Sequence, residues 1–246
     1  MPPVQRYVSN ELSHFCGRGK GPLDVQFETL LQILRSGRIR YPLPGVSEDI
    51  PGVGLVSNPN VRVTGHGMFE SHPICFCDIP IEDLSIHTTK YGRCGLSFPK
   101  AFLLPQGVNP VFYVAKDAVT VRDQLRGDRF DEGFVYYQNL QKRLQDAITE
   151  GREDEGTIRP ETIDPDRLEE FKLRTFLSFE VFSPLKFFDA SRSDTDPENF
   201  YMEREWRTVQ TVKFALEDVS RIFLPAEYAR DLRSQVPDYY GQVTFV

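Results

Sequence analysis

The chain has no uninterrupted apolar run of the roughly 18 residues that a membrane span needs. Its start, Met1–Arg6, is not followed by the apolar segment of a secretory leader. The expectation is a cytoplasmic protein with no membrane partner. Cysteine is scarce, with only Cys16, Cys75, Cys77 and Cys94, and in that compartment these are expected as reduced thiols. Neither a Gly-x-Gly-x-x-Gly nor a P-loop pattern occurs, so the two commonest nucleotide-binding motifs are missing. There is no internal repeat and no low-complexity tract. Positive charge is in deficit: 29 Lys and Arg stand against 36 Asp and Glu, for a net charge of −7. That balance argues against a generic electrostatic binder of nucleic acid or of anionic membranes. Nucleic acid is left only as an acceptor.

What is present is enough for a core. The 246 residues are 40% hydrophobic, with 19 Phe and 10 Tyr, and fit one large domain or a domain with an insertion. Phe27, Leu30, Leu31 and Leu34 recur at helical spacing, which predicts a helix over 24–36. Asp24 is placed to cap it, and Gly37 to end it. Tyr136, Leu140, Leu144 and Ile148, spaced by four, predict a second helix over 132–149. Strands are expected at 7–16, 73–79, 93–98, 110–115, 205–213, 219–224 and 239–246, with one or two more in the Phe-rich stretch 171–188. Short helices are expected at 81–91 and 225–235. Residues 38–71 read as a long irregular loop, and 151–170 as an acidic, solvated loop or insertion rim. Short strands joined by few helices, without repeated βαβ units, predict a mixed α+β fold.

The densest cluster of chemistry-bearing side chains is Glu203-Arg204-Glu205-Trp206-Arg207, which runs into a β-branched strand and carries the only Trp. Side chains two apart on a strand share a face, so Glu203 and Glu205 are expected side by side. Two carboxylates so placed can divide labour, one orienting an acceptor and one stabilising developing positive charge. The same residues also fit ordinary ion pairs with Arg204 and Arg207. Gly17-Arg18-Gly19-Lys20-Gly21 offers backbone N–H groups and two cations to a phosphate, or a simple turn. Asp78, just before Pro80, fits a ligand contact or a helix cap. His87 fits a residue that orients Asp78 or a ligand, or a satisfied polar side chain. Cys75 and Cys77, on one face of one strand, do not have the Cys-x₂₋₄-Cys spacing of a structural zinc site, so no metal is expected.

The order YVSNELSHFCGR, ILRSGRI, ICFCDIPIEDLSIHTTKYGRCGLSFPK, NPVFYV and EREWR resembles the AbiGi family of bacterial abortive-infection proteins, which are given the antitoxin role beside a partner toxin. That resemblance implies anti-phage defence and a partner that is a toxin or a phage protein. A fold-level resemblance to ADP-ribosyltransferases adds a second expectation. It implies a mixed, split sheet that grips NAD, with Glu205 as catalytic carboxylate and Glu203 orienting a macromolecular acceptor. It also implies His14, Phe15, Arg18, Tyr91, Asp78 and His87 as cofactor-binding residues, with His14 or Arg18 in the first-strand position. The chain departs from that pattern in having no clear Ser-Thr-Ser segment. Tyr91 also falls at a helix-to-strand junction.

Overall fold

Strand β1 (Glu11–Phe15) is flanked by β3 (Ile74–Cys77) and β4 (Gly95–Pro99), both antiparallel to it. The computed structural model describes residues 9–17, 21–40, 62–65, 73–150, 165–193, 195–196 and 198–246. The remaining strands are β2 (Arg38–Ile39), β5 (Asn109–Pro110), β6 (Phe112–Ala115), β7 (Leu185–Phe188), β8 (Glu205–Thr208), β9 (Val212–Lys213), β10 (Arg221–Leu224) and β11 (Gln242–Phe245). The helices are α1 (Leu23–Ser36), α2 (Ser85–Tyr91), α3 (Lys100–Leu103), α4 (Arg126–Glu150), α5 (Pro165–Phe176) and α6 (Ala229–Gln235). The fold class is α+β, as expected.

The chain divides into two compact units. The first comprises 1–52, 71–111 and 192–246, and the second 53–70 and 112–191. The first unit holds a seven-stranded mixed sheet in the order β11-β10-β4-β1-β3-β8-β5, with β2 and β9 as a separate pair. Only β10 and β11 run parallel within that sheet. Register fixes which side chains share a face. Ser97, Ser13, Cys77 and Glu205 form one row across β4, β1, β3 and β8. Leu96, His14 and Leu12 belong to the other face, together with Phe76 and Trp206.

That second face is the main core. Leu12, Phe76, Leu96, Phe98 and Ile222 pack there with Phe27, Leu30, Leu31 and Leu34 of α1. The helical spacing of α1 therefore does what it predicts: it buries one apolar stripe against the sheet. Pro22 rather than Asp24 occupies the N-cap, and Asp24 sits in the first turn. Gly37 ends the helix in the left-handed conformation, φ 61°. A smaller cluster covers the opposite face, with Cys77, Ile79, Leu84 and Phe223 at its centre.

The second unit pairs β6 with β7 in parallel and packs α4 on a core of Val63, Phe134, Leu185 and Phe187. Phe134 faces that core with partly buried Phe130 and Tyr137 beside it. Of the expected stripe, Tyr136, Leu140 and Leu144 are exposed on α4, and the Ile148 side chain lies outside those described. The Phe-rich stretch is also corrected. Residues 171–176 belong to α5, 177–182 continue it as a π-helical turn, and only Leu185–Phe188 is a strand. Pro184 separates helix from strand because it cannot continue the helical ladder. Of the expected loops, 41–61, 66–71 and 151–164 lie outside the described residues, Arg38–Ile39 is strand β2, Val63–Gly65 is a 3₁₀ turn, and 165–170 is the start of α5.

Candidate functional site

Glu205 opens β8 directly opposite Cys77. It is only 5% exposed. A buried carboxylate is costly without a partner. Arg207, two residues on and therefore on the same face, supplies one: its Nε and Nη2 donate to Oε1 at 2.5 Å and Oε2 at 3.2 Å. This is a two-point guanidinium–carboxylate pair within one strand, and it is buried rather than solvated.

Glu203 is also 5% exposed but is not on the strand. It ends a 3₁₀ turn over Phe200–Glu203, and Arg204 follows in the left-handed conformation, φ 44°. Strand alternation does not extend across that reversal, so the expected side-by-side pair of carboxylates does not follow from spacing. Glu203 instead meets α2. Its Oε1 accepts from Lys90 Nζ at 2.5 Å and from the Tyr91 hydroxyl. The Lys90 ammonium also lies 4.4 Å from the Phe200 ring centroid, a cation–π distance. Gly92 ends α2 at φ 94°. A Cβ there would lie 2.5 Å from the Cα of Gly17, so this crossing of two backbones accepts only glycine.

Asp78 immediately follows β3. It accepts from the Ser9 backbone N–H at 2.8 Å and from Lys100 Nζ at 2.7 Å. Its own N–H donates to the Arg204 carbonyl at 3.1 Å, which ties the left-handed turn to the strand. Lys100 in turn lies 5.3 Å from the Trp206 ring. The Cys77 thiol sits beneath these carboxylates. Burial pushes its pKa up, and the charges of Glu203 and Asp78 push it further. Cys77 is a free, buried core thiol. Among the described residues, no set of three or more His, Cys, Asp or Glu side chains is grouped to hold a metal.

The other expected residues divide between the two faces. His87 is buried, with its ring 5.2 Å from that of Tyr91. Phe15 lies on the Glu205 face and packs on Phe223, with centroids 5.3 Å apart. His14 lies on the opposite face, 5.6 Å from the Phe76 ring. Its Nδ1 is 2.8 Å from the Cys75 carbonyl, so that nitrogen carries the proton. Desolvation lowers the His14 pKa, and the carbonyl contact opposes this in part. Arg18 lies outside the described residues. The structure thus gathers Glu203, Tyr91, His87, Phe15 and Glu205 on one side of the sheet and leaves His14 on the other, while Asp78 is paired with Lys100, which lies against Trp206. His14 and Glu205 therefore do not share a face of the sheet.

The ion pair expected of Arg207 is present with Glu205, while Lys90 and Lys100 are the residues that sequence reasoning missed. Each neutralises one buried carboxylate. Lys90 stands next to the candidate Tyr91, which was the one local signal for it. Nothing local marked Lys100, whose partner Asp78 is 22 residues earlier in the chain.

No curated protein and no solved structure matches the chain. A family model described as "Putative abortive phage resistance protein AbiGi, antitoxin" matches residues 60–234. The matched stretch includes Asp78, Lys90, Tyr91, Lys100, Glu203, Glu205 and Arg207, the whole ionic cluster just described. With more than half of its length matched, the chain belongs to the AbiGi family of abortive phage-resistance proteins.

Proposed function

We propose that this AbiGi protein is a non-catalytic antitoxin that restrains a partner toxin by binding it across the outer face of α4. The family description supports the antitoxin role. The observation that carries the binding surface is the stripe of Tyr136, Leu140 and Leu144, which are 70%, 48% and 43% exposed. Three large apolar side chains in line along a helix suit the anchors of a helix-in-groove or helix-on-helix contact. Gly133 lies one turn before Tyr136 on the same side, with open space where its Cβ would be. An interior helical glycine costs about 1 kcal/mol relative to alanine, and close approach of a partner backbone gives it a use.

The ionic cluster serves as structure in this reading. Each carboxylate has a cation within 2.7 Å, so none is left to stabilise a cationic transition state. ADP-ribosyl transfer from NAD to a macromolecular acceptor is the competing reading. It draws on the Glu203-x-Glu205 pattern with Tyr91 beside Glu203, while His14 lies on the opposite face of the sheet.

One paired experiment separates them. The chain is expressed with the products of its neighbouring genes, and relief of their toxicity is followed for wild type, Leu140→Asp and Glu205→Gln. Nicotinamide release from NAD is followed on the same purified proteins. Protection lost in Leu140→Asp with no NAD turnover is the expected result. Nicotinamide release that disappears in Glu205→Gln overturns the antitoxin reading.

A further inference from the structure

The seven-stranded sheet ends at β11, and among the described residues no strand lies beyond it. Its phase is set by two bonds. The N–H groups of Gln242 and Val246 donate to the carbonyls of Ser220 and Leu224 at 3.2 and 3.3 Å. In a parallel pair, alternate residues turn their backbone groups toward the same neighbour. Gln242, Thr244 and Val246 therefore face β10, and Val243 and Phe245 present their N–H and C=O groups to the open edge.

Open edges are normally blunted by lysine, proline, a bulge or an inward charge. β11 carries none of these. Its sequence, Gln-Val-Thr-Phe, is uncharged and regular in a chain of net charge −7. The side chains of Val243 and Phe245 are 37% and 57% exposed. Both sit on the face of Ile222 and Leu224, so the apolar surface of the core runs out to the edge. The strand is also anchored. Arg93 Nε donates to the Val246 carbonyl at 2.7 Å, and Arg221 Nη1 donates to Thr244 Oγ1 at 2.8 Å.

We propose that β11 pairs antiparallel with β11 of a second copy of this chain, joining the two sheets across a two-fold axis at Thr244. With Thr244 opposite its own copy, Val243 falls opposite Phe245 of the partner, and Phe245 opposite Val243. These are the residues with outward backbone groups, so each pair exchanges two N–H···O=C bonds. The same two pairs set Val against Phe on one face, a favourable cross-strand combination. Thr244 meets its copy on the other face. A two-fold contact requires a patch complementary to itself, and this register supplies it in backbone, in apolar side chains and in charge. An uncharged edge is also where two acidic chains meet without opposing like charges.

The test uses the full chain. Molar mass is measured by light scattering across a micromolar concentration series. Wild type is expected to move to the mass of a dimer, and Phe245→Lys to stay monomeric with an unchanged circular dichroism spectrum and melting temperature. Thr244→Cys adds a geometric readout. Directly opposite residues in a non-hydrogen-bonded pair have Cα atoms about 4.5 Å apart, within disulfide range. Thr244→Cys is therefore expected to form a covalent dimer on mild oxidation, and Val243→Cys is not. A wild type that stays monomeric throughout overturns the proposal. So does a dimer that survives Phe245→Lys, or a Thr244→Cys dimer that does not cross-link.

Discussion

Lys90 and Glu203, 113 residues apart in the chain, meet at 2.5 Å with the lysine side chain only 20% exposed and the glutamate 7%. Removing one member of a buried pair leaves the other uncompensated, which typically costs about 3–5 kcal/mol. The residual exposure of Lys90 lowers that toward about 2 kcal/mol for Glu203→Gln. Urea denaturation of Glu203→Gln beside wild type measures it. A change below about 0.5 kcal/mol, the size of an ordinary surface substitution, would remove the structural role assigned to this pair.

Glu205 and Arg207 should behave as a coupled unit. In a double-mutant cycle with Glu205→Gln and Arg207→Leu, we expect a coupling of about 1–3 kcal/mol, since neighbouring members of one buried network are not additive. Independent effects would mean that Arg207 is not what neutralises Glu205.

Gly92→Ala should be among the most damaging single changes. It combines a φ of 94° with a Cβ contact of 2.5 Å to the Gly17 backbone. Strain of that kind costs on the order of 1–3 kcal/mol before any packing displacement. Its melting temperature should fall by several degrees, whereas Gly133→Ala, with open space at its Cβ, should hold or raise it.

His14 gives the protein an acid-side instability. Its pKa in the folded state lies below the usual 6.5 because burial disfavours the imidazolium. The unfolded chain then binds more protons than the folded one as pH drops below about 6.5, so stability is full above that value and declines below it. Unfolding free energies measured at pH 7.5 and pH 5.5 should differ less in His14→Gln than in wild type. An equal pH dependence in both would show that the ring is not held neutral.

Of the motifs that carried the resemblance in sequence, CFCDIP, the Tyr91-Gly92 junction and EREWR lie within the matched residues 60–234. Local periodicity was equally legible. Helix α1 and strands β3, β4, β10 and β11 fall where spacing and turn residues put them, because a single apolar stripe or alternation determines each. Stretch 171–182 misled because aromatic density suits a strand and a helix alike, and helical packing decided it.

Sequence alone therefore determined the family, the α+β class and which elements carry apolar stripes, since these depend on short-range pattern. Tertiary structure decided which side each stripe faces and which charges meet. Periodicity shows that Tyr136, Leu140 and Leu144 share a side of α4, but only the neighbouring core, taken by Phe130, Phe134 and Tyr137, turns them outward. Spacing puts Glu203 and Glu205 two apart, but the left-handed turn at Arg204 sends one to Lys90 of α2 and leaves the other to Arg207 of its own strand. Strand register, a property of three chain segments at once, sets His14 and Glu205 on opposite faces of the sheet.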